Sequence, residues 1–186
     1  KNAYNFAKTT IDAHFYETQK HFQELLPERG YILDFGCGSG RDTKYFLEQG
    51  FYVDATDGSE EMCHIASNYT GIQVRRLLFE ELDENKKYEG IWACSSILHL
   101  PKNELKAVFM KMFKALKEDG IIYTSFKYGD FEGERNGRYF TDFTEKTFEE
   151  FVDEIDNLQL KEEWITGDVR PGRGEEKWLN VILQKN

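Results

Sequence analysis

Cysteine is scarce in this chain. The three present, Cys37, Cys63 and Cys94, share no metal-ligand spacing, and an odd number leaves one unpaired in any disulfide scheme. A disulfide scaffold and a cysteine-built metal site are therefore set aside, and reduced thiols in a cytoplasm are expected. Basic residues are outnumbered by acids, 24 to 34, for a formal net charge of -10. That deficit argues against general attraction to nucleic acid or to an anionic membrane surface. No apolar run approaches the length of a membrane span, and no signal-peptide pattern opens the sequence. Internal repeats, low-complexity tracts and interdomain linkers are missing as well. What remains, 186 residues of which 40% are hydrophobic, fits a single domain over 1–186, long enough for a full core and too short for a second.

The richest stretch begins at Ile32 and reads Ile-Leu-Asp-Phe-Gly-Cys-Gly-Ser-Gly. An apolar strand enters a turn with glycine at 36, 38 and 40, where the absence of a Cβ lets backbone approach a ligand closely. A second apolar segment ends in Asp57, placed to accept hydrogen bonds from ribose hydroxyls. Here too an absence decides the reading. A dinucleotide fingerprint needs a third glycine three residues after Gly38, to seat a pyrophosphate on the next helix, and that residue is Arg41. Asp34, two residues before Gly36, would repel a pyrophosphate and suit a cation. A ligand with one ribose, an ammonium and a sulfonium, and no phosphate, meets those requirements: S-adenosylmethionine.

With these residues the chain resembles the seven-strand S-adenosylmethionine-dependent methyltransferases over nearly its whole length. Asp34, Gly36, Gly38 and Gly40 match the family's first motif, and Asp57 the acid at the end of its second strand. The run Trp92-Ala-Cys-Ser-Ser-Ile-Leu-His-Leu-Pro101 is similar to its fourth-strand motif, and Leu116-Lys-Glu-Asp-Gly120 to the turn before its fifth strand. The resemblance implies a Rossmann-like, doubly wound α/β fold: a mostly parallel seven-stranded sheet, helices on both faces, the last strand antiparallel. It also implies a cofactor pocket of Asp34, Gly36, Gly38, Gly40, Asp57, Gly58, Ser59, Met62, Leu78, Phe79, Cys94 and Ser95, with S-adenosylhomocysteine as product. Asp34 would face the methionine ammonium, and Cys94 would line the pocket near the methyl group. One departure stands out. Leu78 occupies the position of the family's adenine-holding acid, so Phe79 is expected to flank the ring and Glu80 or Glu81 to supply an acceptor.

Alternating strand-like and helix-like segments independently indicate a parallel sheet covered on both faces. Strands are expected at about 31–35, 51–56, 72–77, 90–95, 121–126, 159–165 and 178–184. Ser59 is expected to cap one helix. Asn103 should cap another that runs to Gly120, burying Leu105, Val108, Phe109, Met112, Phe113 and Leu116, and a last helix should begin near Thr144. The segment 127–143, rich in glycine, charge and aromatics, reads as a long loop at the carboxyl edge of the sheet, the place for a substrate lid. Residues 1–28 read as a helical lid, as in similar methyltransferases, with Tyr4, Phe6 and Phe15 as lid residues.

For catalysis the candidates are His99 and Tyr139 as general base. His99 keeps the alternative of a histidine bonded to backbone at a helix terminus. For substrate binding they are Arg138, Phe140 and Tyr4. Arg138 sits in Gly137-Arg-Tyr-Phe140, where a guanidinium flanked by rings could grip a carboxylate or phosphate. A second basic turn, Arg170–Gly174, could share that duty or be a plain surface hairpin. Asp54 rivals Asp57 but lies inside its strand by alternation. No metal ligand set is expected. The acceptor is expected to be a small, anionic molecule, a metalloid oxyanion among them. Nucleic acid is disfavoured by charge and by Cys94-Ser95-Ser96, which stands where base-methylating relatives carry Asn-Pro-Pro-aromatic. A catalytically silent cofactor-binding or regulatory partner, and a nicotinamide-dependent oxidoreductase, remain the other readings. Oligomeric state is not legible.

Overall fold

The computed structural model describes Asn5, Thr9, Ile11 and residues 15–169 and 172–186. Tyr4, Phe6 and Arg170 therefore lie outside the described residues. In chain order the elements are α1 (Tyr16–Glu24), β1 (Tyr31–Phe35), α2 (Arg41–Glu48), β2 (Tyr52–Asp57), α3 (Glu60–Thr70), β3 (Arg75–Arg76), β4 (Tyr88–Ala93), α4 (Lys102–Ala115), β5 (Leu116–Lys127), β6 (Glu132–Arg135), β7 (Arg138–Thr141), α5 (Glu145–Val152), β8 (Leu158–Gly167) and β9 (Lys177–Lys185). One-turn 3-10 segments at Phe79–Glu81 and Ile97–His99 follow β3 and β4.

Seven strands form one sheet in the order β3-β2-β1-β4-β5-β9-β8. The first five pair in parallel, and β9, the last strand, runs antiparallel to both its neighbours. The order reverses between β1 and β4, and open α/β sheets bind ligands at the carboxyl ends of the strands on either side of such a reversal.

Both sheet faces are buried because the strands carry apolar residues at odd and even positions alike. Leu33, Phe35, Ile91 and Ile122 face a core shared with Leu105, Val108, Phe109 and Met112 of α4 and with Phe148, Phe151 and Val152 of α5. Their chain neighbours Ile32, Trp92 and Tyr123 face the opposite core, filled by Phe22 of α1 and Phe46 of α2. Burying side chains of this size contributes about 1.5–3 kcal/mol each, so the two faces supply most of the driving force. Close approach of α1 depends on Gly90: a Cβ there would stand 2.8 Å from Cζ of Phe22 and 3.0 Å from Cδ1 of Leu26.

The helix starts follow local chemistry. Ser59 accepts from the Met62 amide at 3.3 Å, and Thr144 from the Thr147 amide at 3.3 Å. Asn103, by contrast, caps nothing. The α4 helix opens one residue after Pro101, the Lys102 amide finds its acceptor in Oε1 of Glu132 at 3.0 Å, and the helix stops at Ala115 rather than Gly120. The expected turn at Leu116–Gly120 is instead a bulge within the strand. Leu116 pairs with Tyr88 and Ile121 with Gly90, so Lys117–Gly120 loops out and Asp119 takes φ 62°.

Two other expectations change. The third strand is only Arg75–Arg76, because Ser67 Oγ takes the Val74 amide at 2.9 Å and holds that residue to α3. The segment 127–143 is a hairpin rather than a loop. Strands β6 and β7 pair antiparallel across Asn136-Gly137, with φ of 53° and 75°, the left-handed pair that a tight two-residue hairpin turn requires. Among the described residues, no helix is long and apolar enough to cross a membrane.

Candidate active site

The glycine turn is tied to β2 by its own backbone. The amides of Gly36 and Cys37 both donate to the Thr56 carbonyl, at 2.9 and 2.8 Å. The Gly38 amide donates to Oδ2 of Asp57 at 2.9 Å, and Oδ1 of the same carboxylate takes the Ser59 amide at 2.9 Å. Gly36 has φ +84°, and a Cβ there would lie 2.5 Å from Cβ of Ser96. Ser96 is fixed in turn by its hydroxyl, which donates to the Phe35 carbonyl at 2.7 Å.

Asp34 lies beneath this turn, 2% exposed, accepting from the Thr43 hydroxyl at 2.5 Å. Burial, with the charge of Asp42 next, pushes its carboxyl up to about 8. Asp42 behaves oppositely. Burial works against its charge, but Arg41 beside it, together with hydrogen bonds from Arg41, Trp92 and Gln19, holds it below the usual carboxylate range. Arg41 grips Asp42 through Nε at 2.8 Å and Nη2 at 2.9 Å, the Trp92 indole donates at 2.9 Å, and Gln19 at 2.6 Å. This buried node joins α1, α2 and β4 under the cleft.

Leu78, Phe79 and Gly58 lie near the end of β2, where the Leu77 amide donates to the Asp57 carbonyl at 3.0 Å. Phe79 meets Phe35 edge-on, with centroids 4.9 Å apart, and comes within 3.3 Å of the position of a Cβ on Gly36, as Leu78 does for Gly58. Glu81 spends its carboxylate on the Leu78 amide at 2.7 Å, and Glu80 is exposed. Met62 is buried on α3 below.

On the other side of the turn lies a cleft of about 960 Å³. Gly36, Gly38 and Arg41 form its floor, Cys94, Ser95 and His99 one wall, and Arg135, Arg138, Phe140 and Asp142 of the hairpin segment another. Asp168, Val169 and Arg173, from the connection between β8 and β9, close the far end, and Phe15 reaches in from before α1. Ser95 holds a left-handed φ of 50° and donates its amide to Ser125 Oγ at 2.9 Å, the type of local strain that collects at functional sites. Burial pushes the Cys94 thiol up to about 12, so this side chain lines the cleft as a neutral group.

His99 is half-buried. Its Nδ1 lies 2.8 Å from the Tyr139 carbonyl, which makes Nδ1 the donor and leaves Nε2 with the lone pair. Burial and then the charge of Arg138 hold its pKa below the ordinary value, against that backbone hydrogen bond. Tyr139 does not join the cleft lining. Alternation along β7 turns its side chain to the outer face, where the hydroxyl donates to Glu132 at 3.2 Å. Arg138 is exposed at the cleft margin, and the guanidinium set between rings is that of Arg135, 4.5 Å from Phe131 and 5.0 Å from Phe140. Arg135, Asp142 and Ser125 are cleft residues absent from the candidates named from the sequence, and Arg41, noted there only as the residue that breaks a dinucleotide fingerprint, lines the cleft as well. Asp54 serves the far side of β2, accepting from Tyr31 at 2.8 Å and Tyr88 at 2.7 Å.

Residues 32–120 match the family model of a methyltransferase domain. A Bacillus subtilis protein, YqeM, named as a methyltransferase, is 32% identical over 122 residues, which are 60% of this chain and 49% of that one. The chain spans about half the length of the first curated relatives it matches. In fold it is similar to the Burkholderia thailandensis 1,6-didemethyltoxoflavin-N1-methyltransferase, solved with S-adenosylhomocysteine, at TM-score 0.74 and 23% identity over 99% of this chain and 87% of that one. It is similar also to a TehB-like methyltransferase from Corynebacterium glutamicum, at TM-score 0.76 and 18% identity over 100% and 98% of the two chains. These likenesses show the fold: the seven-stranded sheet is arranged as in the two solved methyltransferases, and residues 32–120 are similar to a methyltransferase domain. Two features fit S-adenosylmethionine: a cradle at Gly36 that any Cβ would fill, and, buried beneath the turn, an acid whose hydrogen-bond partner is a neutral hydroxyl.

Proposed function

We propose that this chain transfers a methyl group from S-adenosylmethionine to a small, anionic acceptor held in the cleft beside the glycine turn. The observation that supports the reading is the hydrogen bond from the Gly38 amide to the Asp57 carboxylate, which orients an acid suited to ribose hydroxyls next to a turn that lines a cleft shared with a basic hairpin. When bound, the cofactor supplies a sulfonium-activated methyl group that leaves by in-line displacement.

The chain's own work is alignment, exclusion of water and management of charge. Asp57, oriented by Gly38 and Ser59 and flanked by Gly58 and Met62, keeps lone pairs for ribose hydroxyls. Leu78 and Phe79 offer apolar contact to the base. The glycine turn, with Gly40 at the start of α2, brings backbone close to the methionine moiety, and Asp34, mostly protonated in the ligand-free protein, gives up its proton to supply the counter-charge when the ammonium binds. Cys94 and Ser95 bound the space around the reacting carbon. His99 Nε2 is the group suited to take a proton from the acceptor, and Tyr139, bonded to Glu132 on the outer face, is left out of that role. Arg138 and Phe140 receive the acceptor. A small molecule is favoured over nucleic acid by the net charge of -10.

Radiolabelled S-adenosylmethionine incubated with the protein and pooled small-molecule extracts tests the reading. Label should pass to an acceptor with wild type and far less with Asp57→Ala. Binding of S-adenosylhomocysteine without any transfer would favour a silent cofactor-binding partner.

A further inference from the structure

Alternation along β7 puts Arg138, Phe140 and the next residue in step, Asp142, on the face toward the cleft, and all three line it. The residues between them are not cleft residues: the Tyr139 hydroxyl donates to Glu132, and Thr141, fully buried, donates its hydroxyl to the Leu100 carbonyl at 2.7 Å. The inner face thus carries a cation, a ring and an acid in sequence. Asp142 is only 5% exposed. Its Oδ2 is paired with Nη2 of Arg135 at 2.6 Å, and its Oδ1, also buried, accepts no hydrogen bond.

A buried carboxylate oxygen without a donor is costly, so such an atom on a residue that lines a ligand cleft is a place where a ligand group belongs. The partner must be a donor, and a charged nitrogen satisfies a carboxylate oxygen better than a neutral one. Arg135 cannot supply it without giving up its present geometry, because its guanidinium is held between Phe131 and Phe140. Arg138, at the other end of the row, has no ion-pair partner among the described residues and offers its fork to an acidic group.

We propose that the methyl acceptor is amphoteric: an acidic group lies against Arg138, a protonated nitrogen is received by Oδ1 of Asp142, and the body between them rests on Phe140. This deepens the methyltransferase reading and rests on it. Asp142 is then the residue that separates amino acids and other amino-bearing anions from plain anions of the same size. An oxyanion carries no such nitrogen and leaves Oδ1 as it is.

The test uses label transfer from S-adenosylmethionine to a bacterial small-molecule extract separated on ion-exchange resins into amphoteric, purely anionic, purely cationic and neutral fractions. Wild type should place its label predominantly in the amphoteric fraction. Asp142→Asn, which keeps an oxygen for Arg135 and removes the charge, should lower that incorporation at least tenfold while S-adenosylhomocysteine affinity stays within twofold. Arg138→Gln should lower it similarly. Label confined to the anionic or neutral fraction, or incorporation indifferent to Asp142→Asn, overturns the proposal and leaves the methyltransferase reading standing. No transfer to any fraction by a protein that binds S-adenosylhomocysteine overturns both. Should Asp142→Asn fail to bind S-adenosylhomocysteine, Asp142→Glu and wild type decide by fraction preference alone.

Discussion

The Gly38 amide donates a 2.9 Å hydrogen bond to Oδ2 of Asp57, which joins the glycine turn after β1 to the acid that ends β2. The Ser59 amide occupies the other oxygen at 2.9 Å, so the carboxylate is oriented before any ligand arrives. Pre-orientation of this kind spares the ligand the cost of ordering its own receptor.

Asp57→Ala removes the acceptor of both amides and, on the proposed function, the acceptor of the ribose hydroxyls. Hydrogen bonds to charged groups contribute about 1.5–3 kcal/mol, so S-adenosylhomocysteine affinity should fall roughly tenfold or more. Asp57→Asn, which can still accept one of the two amides, should lose less. Isothermal calorimetry on folded variants checks the order.

Gly36 and Gly50 separate two reasons for a glycine. Both have positive φ, +84° and +88°, but a Cβ on Gly36 would meet Ser96 at 2.5 Å, whereas nothing lies within 4 Å of one on Gly50. Gly50→Ala should cost about 1–2 kcal/mol of stability, the ordinary left-handed penalty. Gly36→Ala should cost clearly more and should also weaken cofactor binding, because Ser96 must move and takes the end of β4 with it. Urea denaturation and calorimetry read the two effects.

Asp34 makes stability depend on pH. Its carboxyl is raised from 3.8 to about 8 by burial and then by the charge of Asp42. A group raised on folding stabilises fully below its unfolded pKa, and that contribution is lost as pH rises through the folded value. The ligand-free protein should therefore lose stability between about pH 4 and pH 8 relative to Asp34→Asn, while the variant binds S-adenosylhomocysteine more weakly. Equal pH profiles for the two proteins in denaturant melts would place the buried charge elsewhere.

Arg138 lines the cleft from β7, and Asp57 is not among the cleft residues. Arg138→Ala should retain S-adenosylhomocysteine affinity and lower turnover, and Arg138→Lys should restore turnover only in part because the two-pronged geometry is gone. The turn that presents it can be tested in parallel. Gly137→Val puts a β-branched residue at φ +75° and should lower turnover with little change in cofactor affinity.

What was legible in the sequence was local. The glycine turn, the caps at Ser59 and Thr144, and the apolar face of α4 each follow from residues within a few positions of one another. The mostly parallel seven-stranded sheet with its antiparallel last strand came through resemblance, whereas the order of the strands was not read from the sequence. The hairpin had a readable signal in Asn136-Gly137, and reading it would have put Arg138, Phe140 and Asp142 on one face. Which arginine sits between the rings was not legible, because it depends on a register that opposes Arg135 to Arg138 and Gly133 to Phe140. The node at Asp42 draws on Gln19 and Trp92, 23 and 50 residues away, and no local pattern announces such contacts.

The most direct measurement is a calorimetric titration of the protein with S-adenosylhomocysteine and, separately, with NAD. Micromolar binding of the first, about -8 kcal/mol, with no detectable binding of the second, is the predicted result. Micromolar binding of NAD with none of S-adenosylhomocysteine would contradict the account at its centre, because it would require a pyrophosphate seat on the turn that Arg41 and Asp34 occupy.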